Sequence, residues 1–262
     1  MMKNYKNLTA LFCFSLLTSC SGLPKHERPL SPRTQDIMSQ KGLSAYQPIL
    51  IRIFKKEETL EVWKRHNNGT YMKLRSWDIC AYSGDIGPKL KEGDRQAPEG
   101  FYDITPGLMN PWSNFHLAFN LGFPNSFDKS HNRTGSHLMV HGDCSSRGCY
   151  AMRDGPMEDI YGLGREAFKG GQKKFQVQAY PFRLTEKNME KYKDHKWIDY
   201  WKNLKVGYDT FEKTKQPPKV HVCEKKYVFN LTDEQAQQIS GPADSCPADL
   251  DMNDDIANVI GL

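Results

Sequence analysis

Two alternating runs joined by a turn signal constrain the fold of this 262-residue chain more than any other feature of its sequence. Residues 60–65 and 71–79 alternate apolar and polar side chains, as strands with one buried face do. Asn67-Asn68-Gly69 between them is typical of a hairpin turn, so the two runs predict an antiparallel pair. Further strands are predicted at 48–54, 98–104, 115–121, 136–140, 174–180 and 220–229. Helices are predicted at 36–43, 156–168 (interrupted by Gly162 and Gly164), 185–195 and 197–214. The predicted class is α+β with a β-rich core and helices added toward the C-terminus.

Composition argues against two classes of protein. The chain has 36 basic and 31 acidic residues, a formal net charge of +5. This excess is too small to indicate a nucleic-acid partner. The mean hydropathy of −0.68 argues against a membrane-embedded chain. We therefore expect no nucleic-acid binding, and no sequence motif implies a cofactor or a metal.

The N-terminus has the pattern of an export signal. Lys3 and Lys6 precede an apolar run at 8–17 that is too short to span a bilayer. The run ends at Leu-Thr-Ser-Cys20, which resembles the lipobox in which the cysteine is lipidated; the alternative is an ordinary secretory signal with a chance cysteine. With Ser21 next, the prediction is a periplasmic protein anchored through Cys20 to the outer membrane of a Gram-negative bacterium. Cysteines can oxidise in that compartment.

Four segments follow from these patterns. We predict a lipoprotein-type signal peptide at 1–20, a tether with a short helix at 21–45, a main folded domain with a C-terminal helical extension at 46–230, and an acidic tail at 231–262. The tail has low aromatic content, which predicts that it is loosely held.

The segment 137–152 carries most of the chemical information, and its residues allow three interpretations. His137, His141, Cys144 and Cys149 are legitimate zinc ligands. However, a strand through 137–141 would place its two histidines about 13 Å apart, too far for one ion. The second interpretation is a structural disulfide through Cys144. The third is a nucleophilic Cys149 with His141 as its base.

The nucleophile interpretation uses neighbouring residues as well. Backbone N–H groups near Gly148 and Cys149 are placed to form an oxyanion hole, and a cation such as Arg147 would favour the thiolate.

The motif HGDCSSRGCYAM at 141–152 resembles the L,D-transpeptidase catalytic (YkuD-type) family, and in particular its YafK-type branch. Supporting stretches lie at 51–56, 60–63, 83–89, 92–102, 115–125 and 181–185. The resemblance implies a β-sandwich-like catalytic core that acts on peptidoglycan stem peptides. It implies that Cys149 is the nucleophile and His141 the general base and acid. It also implies that Ser146 and Gly148 shape the turn and that the Gly148 and Cys149 N–H groups are the oxyanion donors.

Two departures from the family pattern leave the outcome of the reaction open. Many members have a longer insertion before the cysteine and a second histidine where this chain has Arg147. The resemblance implies acyl transfer at the L-centre of meso-diaminopimelate through a thioester. The alternatives are hydrolysis, either as an amidase that releases a diaminopimelate-linked lipoprotein or as an L,D-carboxypeptidase, and a catalytically silent wall-binding lipoprotein.

The remaining polar residues have weaker signals. Arg147, His116, Asn120 and Asn125 are candidate substrate-binding residues, whereas His137 is expected to be structural. Cys144 is a disulfide partner, a redox guard for the nucleophile, or a small turn residue. Cys80, Cys223 and Cys246 are further candidates for disulfides, and spacing alone does not fix their pairing.

Overall fold

The computed structural model of the chain describes residues 22–248, so the predicted signal peptide and Cys20 lie outside the described residues. Strands are β1 (Ile49–Phe54), β2 (Thr59–Arg65), β3 (Tyr71–Asp78), β4 (Ala81–Tyr82), β5 (Gly100–Ile104), β6 (Met109–Asn110), β7 (Ala118–Asn120), β8 (Met139–His141), β9 (Tyr150–Ala151), β10 (Phe175–Tyr180), β11 (Val220–Cys223) and β12 (Lys226–Phe229). Helices are α1 (Pro32–Gln40), α2 (Ser126–Ser130), α3 (Asp154–Lys169), α4 (Glu186–Lys191), α5 (Ile198–Thr214) and α6 (Asp233–Gln238). The mixed α+β class with a β-rich core is confirmed.

The first sheet has the strand order β3-β2-β1-β10-β5. The predicted hairpin is its β2–β3 pair, with Leu60 opposite Trp77. All six residues of β1 are buried, in keeping with an apolar run that only Arg52 interrupts, because a central strand covered on both faces needs no polar alternation. β1 pairs in parallel with β10, which returns to the sheet after α3.

The second sheet has the order β4-β9-β8-β7-β6 and short strands of two or three residues. Its central pair, β8 and β9, is parallel. One continuous core joins the two sheets: Ile51 and Ile53 of β1 pack in the same cluster as Phe119, Val140 and Tyr150 of the second sheet. The architecture is therefore sandwich-like, as expected.

Helix α3 covers this core without a break, although a break was predicted at its glycines. Ile160 and Leu163 face inward. At Gly162 an added Cβ would lie 2.8 Å from the Leu30 side chain. The glycine therefore marks a close approach of the N-terminal segment and not the end of the helix.

The segment 21–45, predicted as a tether with a short helix, contains α1, and from about residue 30 onward it packs on α3. Leu30 is buried in the main core. The Asp159 carboxylate accepts hydrogen bonds from the Ser31 N–H (2.8 Å), the Ser31 hydroxyl (2.7 Å) and the Thr34 hydroxyl (2.7 Å). Ser31 also caps α1 by accepting from the Thr34 N–H.

A buried ion pair connects the C-terminal helices to the loop that borders the second sheet. Lys55 Nζ lies 3.0 Å from Glu99 Oε1, and both side chains are fully buried. Glu99 also accepts from Trp201 Nε1–H of α5 (3.0 Å) and from the Gly87 N–H (2.7 Å). Removing either charge would leave the other buried and unpaired, which typically costs about 3–5 kcal/mol.

The C-terminal part differs from the sequence prediction in two ways. The single strand predicted at 220–229 is a hairpin of β11 and β12, because Glu224 and Lys225 both adopt positive φ and form a two-residue turn. Of the acidic tail predicted at 231–262, residues 231–248 carry α6, and a disulfide between Cys223 and Cys246 joins them to β11; residues 249–262 lie outside the described residues. No helix within residues 22–248 is long and apolar enough to cross a membrane.

Candidate active site

The parallel pair β8–β9 brings His141 and Cys149 together. His141 lies opposite Ala151 in the ladder, and Cys149 directly precedes β9. Side chains alternate between the faces of a strand, so His141 and Cys149 share one face of adjoining strands. With strands about 4.8 Å apart and two residues spanning about 6.6 Å, their Cα atoms are roughly 8 Å apart.

Ser146 organises the turn between them. Its hydroxyl oxygen accepts from the Cys149 N–H (3.1 Å) and the Gly148 N–H (3.3 Å), and its O–H donates to the Cys149 carbonyl (2.8 Å). Gly148 has φ of +118°, a backbone conformation that favours glycine. The two N–H groups predicted to bind an oxyanion are thus directed at Ser146 in this resting conformation.

A disulfide holds the same turn to the neighbouring strand. Cys144 is bonded to Cys80, with Cα atoms 5.4 Å apart. Cys80 immediately precedes β4, and its N–H donates to the Ala151 carbonyl of β9 (2.8 Å). Of the three roles considered for Cys144, the structure selects the disulfide. Cys149 is the free cysteine among the described residues.

The hydrogen bond made by His141 defines its tautomer. Nδ1 lies 2.5 Å from the Gly142 carbonyl oxygen. Because a carbonyl only accepts, Nδ1 carries the proton and Nε2 keeps a free lone pair. His141 is only 3% exposed, and this burial lowers its pKa below the ordinary 6.5. The imidazole is therefore neutral near pH 7 and able to accept a proton.

The Cys149 thiol is also uncharged at rest. Burial raises its pKa above the ordinary 9.0, an effect only partly offset by the Met139 N–H and the Lys89 ammonium. Sγ lies 3.4 Å from the Met139 nitrogen and 3.5 Å from the His137 carbonyl oxygen, and it makes no hydrogen bond to His141. Sγ would therefore have to leave these contacts and turn toward Nε2 for a hydrogen bond between the two side chains to form.

The residue after His141 must be glycine for steric reasons. A Cβ on Gly142 would lie 2.8 Å from an Asp154 carboxylate oxygen, 2.8 Å from the His116 Cβ and 3.0 Å from the Phe115 carbonyl oxygen. Asp154, the first residue of α3, also accepts from the Asp143 N–H (2.9 Å). The Phe115 ring covers His141 at a centroid distance of 5.0 Å. These contacts fix the backbone on which the imidazole is carried.

A cavity of about 340 Å³ opens beside Cys149. Its lining residues come from three loops: Lys89, Glu92, Gly93, Arg95, Ser136, His137, Leu138, Arg147 and Cys149. Of the four predicted substrate-binding residues, only Arg147 lies here.

The other three predicted substrate-binding residues have structural contacts elsewhere. His116 is not in a strand; it has φ of +64°, and its Nε2 pairs with Glu158 of α3 at 2.9 Å. Asn120 accepts from the Gly122 N–H. Asn125 caps α2 and donates to the Phe101 carbonyl and the Tyr227 hydroxyl. Asn125 lines a larger cavity of about 540 Å³ that Cys149 does not border.

His137 lies outside the strand predicted for it, because β8 begins at Met139 and His137 has φ of +54°. His137 borders the cavity, and its carbonyl oxygen accepts from the Cys149 thiol at 3.5 Å. Within residues 22–248, no group of three or more His, Cys, Asp or Glu side chains is arranged to hold a metal ion.

Two carboxylates that support the site were missed by sequence analysis. Asp154 could have been identified from the sequence as an acidic residue in the first turn of a helix, where carboxylate oxygens accept hydrogen bonds from N–H groups that have no partner within the helix. Asp94 lies in a Glu-Gly-Asp turn and accepts from the N–H groups of Leu90 (2.8 Å), Lys91 (3.0 Å) and Gln96 (3.0 Å). Aspartate is common in turns because its carboxylate accepts hydrogen bonds from nearby backbone N–H groups.

Comparison with known proteins identifies relatives of the chain. The chain is 44% identical over 224 residues to "Putative L,D-transpeptidase YafK" of Escherichia coli strain K12, covering 84% of this chain and 89% of the relative, and equally so to the protein of that name from E. coli O157:H7. No family model matches. Among solved structures, it is similar to the helical cell shape determining protein Pgp2 of Campylobacter jejuni (19% identity, 72% of this chain and 79% of that one, TM-score 0.40). It is also similar to Bd1075 of Bdellovibrio bacteriovorus (21% identity, 72% and 79%, TM-score 0.37).

Proposed function

The chain belongs to the YafK-type L,D-transpeptidase family, and on this premise we propose that it is a cysteine acyl-transfer enzyme acting on peptidoglycan stem peptides. In this proposal Cys149 is the nucleophile, His141 is the general base and acid, and the acyl donor is the L-centre of meso-diaminopimelate. The proposal rests on one observation. His141 is buried and neutral and has a free Nε2, and it pairs with the residue two positions after Cys149, so it shares one face of adjoining strands with the free thiol.

The reaction begins from the neutral pair. Nε2 of His141 takes the Sγ–H proton while Sγ of Cys149 attacks the carbonyl carbon and forms the C–S bond. The tetrahedral intermediate then expels the amine of the former peptide bond, and His141 returns the proton to that amine. The products of this half-reaction are a thioester on Cys149 and a free amine.

Oxyanion stabilisation in this proposal uses the N–H groups of Gly148 and Cys149. Both donate to the Ser146 hydroxyl in the resting structure. They become available when the Ser146 side chain rotates away, or when the oxyanion replaces the hydroxyl oxygen as their acceptor. Removing one such donor typically costs about a hundredfold or more in kcat.

The thioester is resolved by whichever nucleophile reaches it. An amine gives a cross-link or protein attachment, and water gives hydrolysis, as in an amidase that releases a wall-linked lipoprotein or an L,D-carboxypeptidase. The base is the same for both, because His141 deprotonates either incoming group.

We also propose that the protein works in the periplasm, held to the outer membrane by a lipid on Cys20. Two disulfides among the described residues support an oxidising compartment. Mass spectrometry of the mature N-terminus tests the anchor.

The test of function is incubation of the purified protein with sacculi and with a synthetic stem tetrapeptide, with and without an acceptor amine, followed by mass spectrometry. New amide products indicate transfer, whereas loss of a terminal residue or of bound protein indicates hydrolysis. Cys149→Ala and His141→Ala should lose activity, and His66→Ala is the control, because it removes an imidazole of the β2–β3 turn that does not line the cavity beside Cys149. If the wild-type protein yields products and the Cys149→Ala protein yields them equally, the proposed role of Cys149 fails; if neither protein yields any product while the wild type binds sacculi, a wall-binding role remains.

A further inference from the structure

A groove of about 490 Å³ lies between α1, β3 and the N-terminus of α3. We propose that this basic groove binds the phosphate group of a phosphomonoester, with Arg33, Arg75 and Arg153 binding its oxygens. The two residues proposed to carry the acyl transfer do not line the groove, so this inference is separate from the proposed function.

The side chains that line the groove are mostly cationic. Four cations and one carboxylate line it: Arg33, Lys73, Arg75, Arg153 and Asp78. Arg33 and Arg153 are exposed, and within residues 22–248 neither guanidinium makes a hydrogen bond or an ion pair. Lys73 lies 3.6 Å from Glu61, but the same carboxylate oxygen is closer to Arg183, at 2.8 Å. The groove therefore has positive charge that neighbouring carboxylates only partly offset.

Arg75 is fixed in the groove by contacts with all three of its walls. Its Nη1 donates to the Thr34 hydroxyl oxygen of α1 (2.7 Å) and to the Asp159 carboxylate of α3 (3.0 Å). Its guanidinium carbon lies 4.7 Å from the centroid of the Trp77 ring of β3. A partly buried cation that is already held in place loses little conformational freedom when an anion binds to it.

The groove also holds like charges close together. Burial lowers the pKa of Arg75; the Asp159 carboxylate opposes this effect, and the positive charge of Arg33 lowers the pKa further. Arg153 is the N-cap of α3, a helix of 16 residues whose N-terminal end carries a positive partial charge. An anion bound among these groups would relieve their mutual repulsion.

A phosphomonoester matches this arrangement better than a carboxylate does. It has three terminal oxygens and a charge of about −1.5 to −2 near pH 7, whereas a carboxylate has two oxygens and a single charge. Guanidinium groups bind phosphate through paired hydrogen bonds. Arginines from three different elements can therefore share the oxygens of one phosphate group.

An added peptide strand fits the groove less well. β3 is an edge strand of the first sheet, a position at which another strand can pair. However, Lys41 Nζ donates to the carbonyl oxygens of Lys73 (2.6 Å) and Leu74 (3.2 Å). An irregularity between Val62 and Trp63 also interrupts the pairing of β2 with β3. Because these carbonyls already accept hydrogen bonds, a compact anion suits the groove better than a strand.

The first experiment is an NMR titration with glycerol 3-phosphate and, as a carboxylate of similar charge, succinate. Arg33→Gln combined with Arg153→Gln should weaken the binding of glycerol 3-phosphate about tenfold to hundredfold. Arg33→Lys combined with Arg153→Lys keeps the charge and should retain part of the affinity. Melting temperatures verify that each variant is folded.

The matched control removes the same charge elsewhere. Lys187 and Lys213 are exposed and do not line the groove. Lys187→Gln combined with Lys213→Gln should therefore change the affinity for glycerol 3-phosphate less than about twofold.

A second experiment separates a lipid headgroup from a soluble phosphate ester. The protein is purified as its Cys20→Ser variant, which cannot carry the proposed lipid. It is sedimented with vesicles of phosphatidylcholine that contain phosphatidate, whose headgroup is the same phosphomonoester, or with phosphatidylcholine alone. Arginine-dependent sedimentation with phosphatidate supports a lipid as the ligand. Binding of glycerol 3-phosphate without sedimentation supports a soluble phosphate ester.

Three results would overturn the inference. The first is that succinate binds as tightly as glycerol 3-phosphate. The second is that the lysine pair weakens binding as much as the arginine pair, since the groove would then attract anions only through net charge. The third is that neither glycerol 3-phosphate nor phosphatidate vesicles bind in a way that depends on Arg33 and Arg153. None of these results bears on Cys149, so the proposed function is tested independently.

Discussion

Cys144 is covalently bonded to Cys80, and this bond fastens the turn that carries Cys149 to the strand that pairs with β9. The seven residues between His141 and Cys149 include two glycines and would otherwise have considerable conformational freedom. The disulfide therefore contributes to placing the thiol as well as to stability.

Replacing Cys80 and Cys144 together by serine should lower the free energy of unfolding by about 2–5 kcal/mol, since the bond closes a loop of 64 residues. It should also lower kcat by more than the matched Cys223→Ser/Cys246→Ser pair, whose disulfide is remote from the site. Thermal unfolding and tetrapeptide turnover measure the two effects. Equal kcat losses in both double variants would contradict the positioning role.

The pH profile of kcat/KM should show a broad plateau. Burial lowers the pKa of His141 below 6.5 and raises the pKa of Cys149 above 9.0. Activity should fall below pH 6.5, as Nε2 becomes protonated and can no longer accept the thiol proton. It should also fall above pH 9.0, as the thiol ionises and leaves the imidazole without a proton for the departing amine.

The rate of alkylation of Cys149 by iodoacetamide measures the pKa of the thiol independently of turnover, because only the thiolate reacts. Its rate should rise with a midpoint above pH 9.0, and the remote variant His66→Ala should not move that midpoint. A midpoint at or below pH 7 would instead indicate a preformed thiolate–imidazolium pair and contradict the neutral resting state.

Gly142→Ala should impair both folding and activity. The added methyl group meets the Phe115 carbonyl at 3.0 Å and the His116 Cβ at 2.8 Å, atoms that cannot rotate away. Forcing such a contact typically costs about 1–3 kcal/mol. Gly155→Ala is the control: it lies on α3 with open space around its Cα, so it should be neutral or stabilising by about 0.5–1 kcal/mol. Equal melting temperatures for the two variants would contradict this account.

Local sequence patterns predicted those helices and strands whose buried face shows a regular spacing of apolar residues. The hairpin of β2 and β3, the central strand β1, and α5 follow directly from apolar periodicity and turn residues. The predictions failed where long-range packing decides. Positive φ at Glu224 and Lys225 split one apparent strand into a hairpin, and no local signal distinguishes the two.

Some residues of the candidate site could likewise be predicted from local sequence, whereas others come together only through the tertiary fold. His141 and Cys149 were predictable because a base and a thiol flank a glycine-rich turn. Arg95 and Glu92 lie about 50 residues earlier in the chain, on a loop that reaches the thiol only through the tertiary fold. The contacts of His116 and Asn125 could not be predicted for the same reason, since their partners Glu158 and Tyr227 are distant in sequence.

Ser146→Ala should show whether the hydroxyl positions the nucleophile. Ser146 joins the Gly148 N–H, the Cys149 N–H and the Cys149 carbonyl through one oxygen. Without it these three groups lose their partner, at a cost of about 1 kcal/mol in stability for each hydrogen bond not replaced by water. We expect kcat to fall about tenfold or more with little change in KM, because the turn that sets the direction of Sγ relaxes while the cavity stays intact. Ser146→Thr keeps the hydroxyl and should recover most of the lost kcat. Wild-type kcat in Ser146→Ala would show that the turn holds its shape through Gly148 and the disulfide alone.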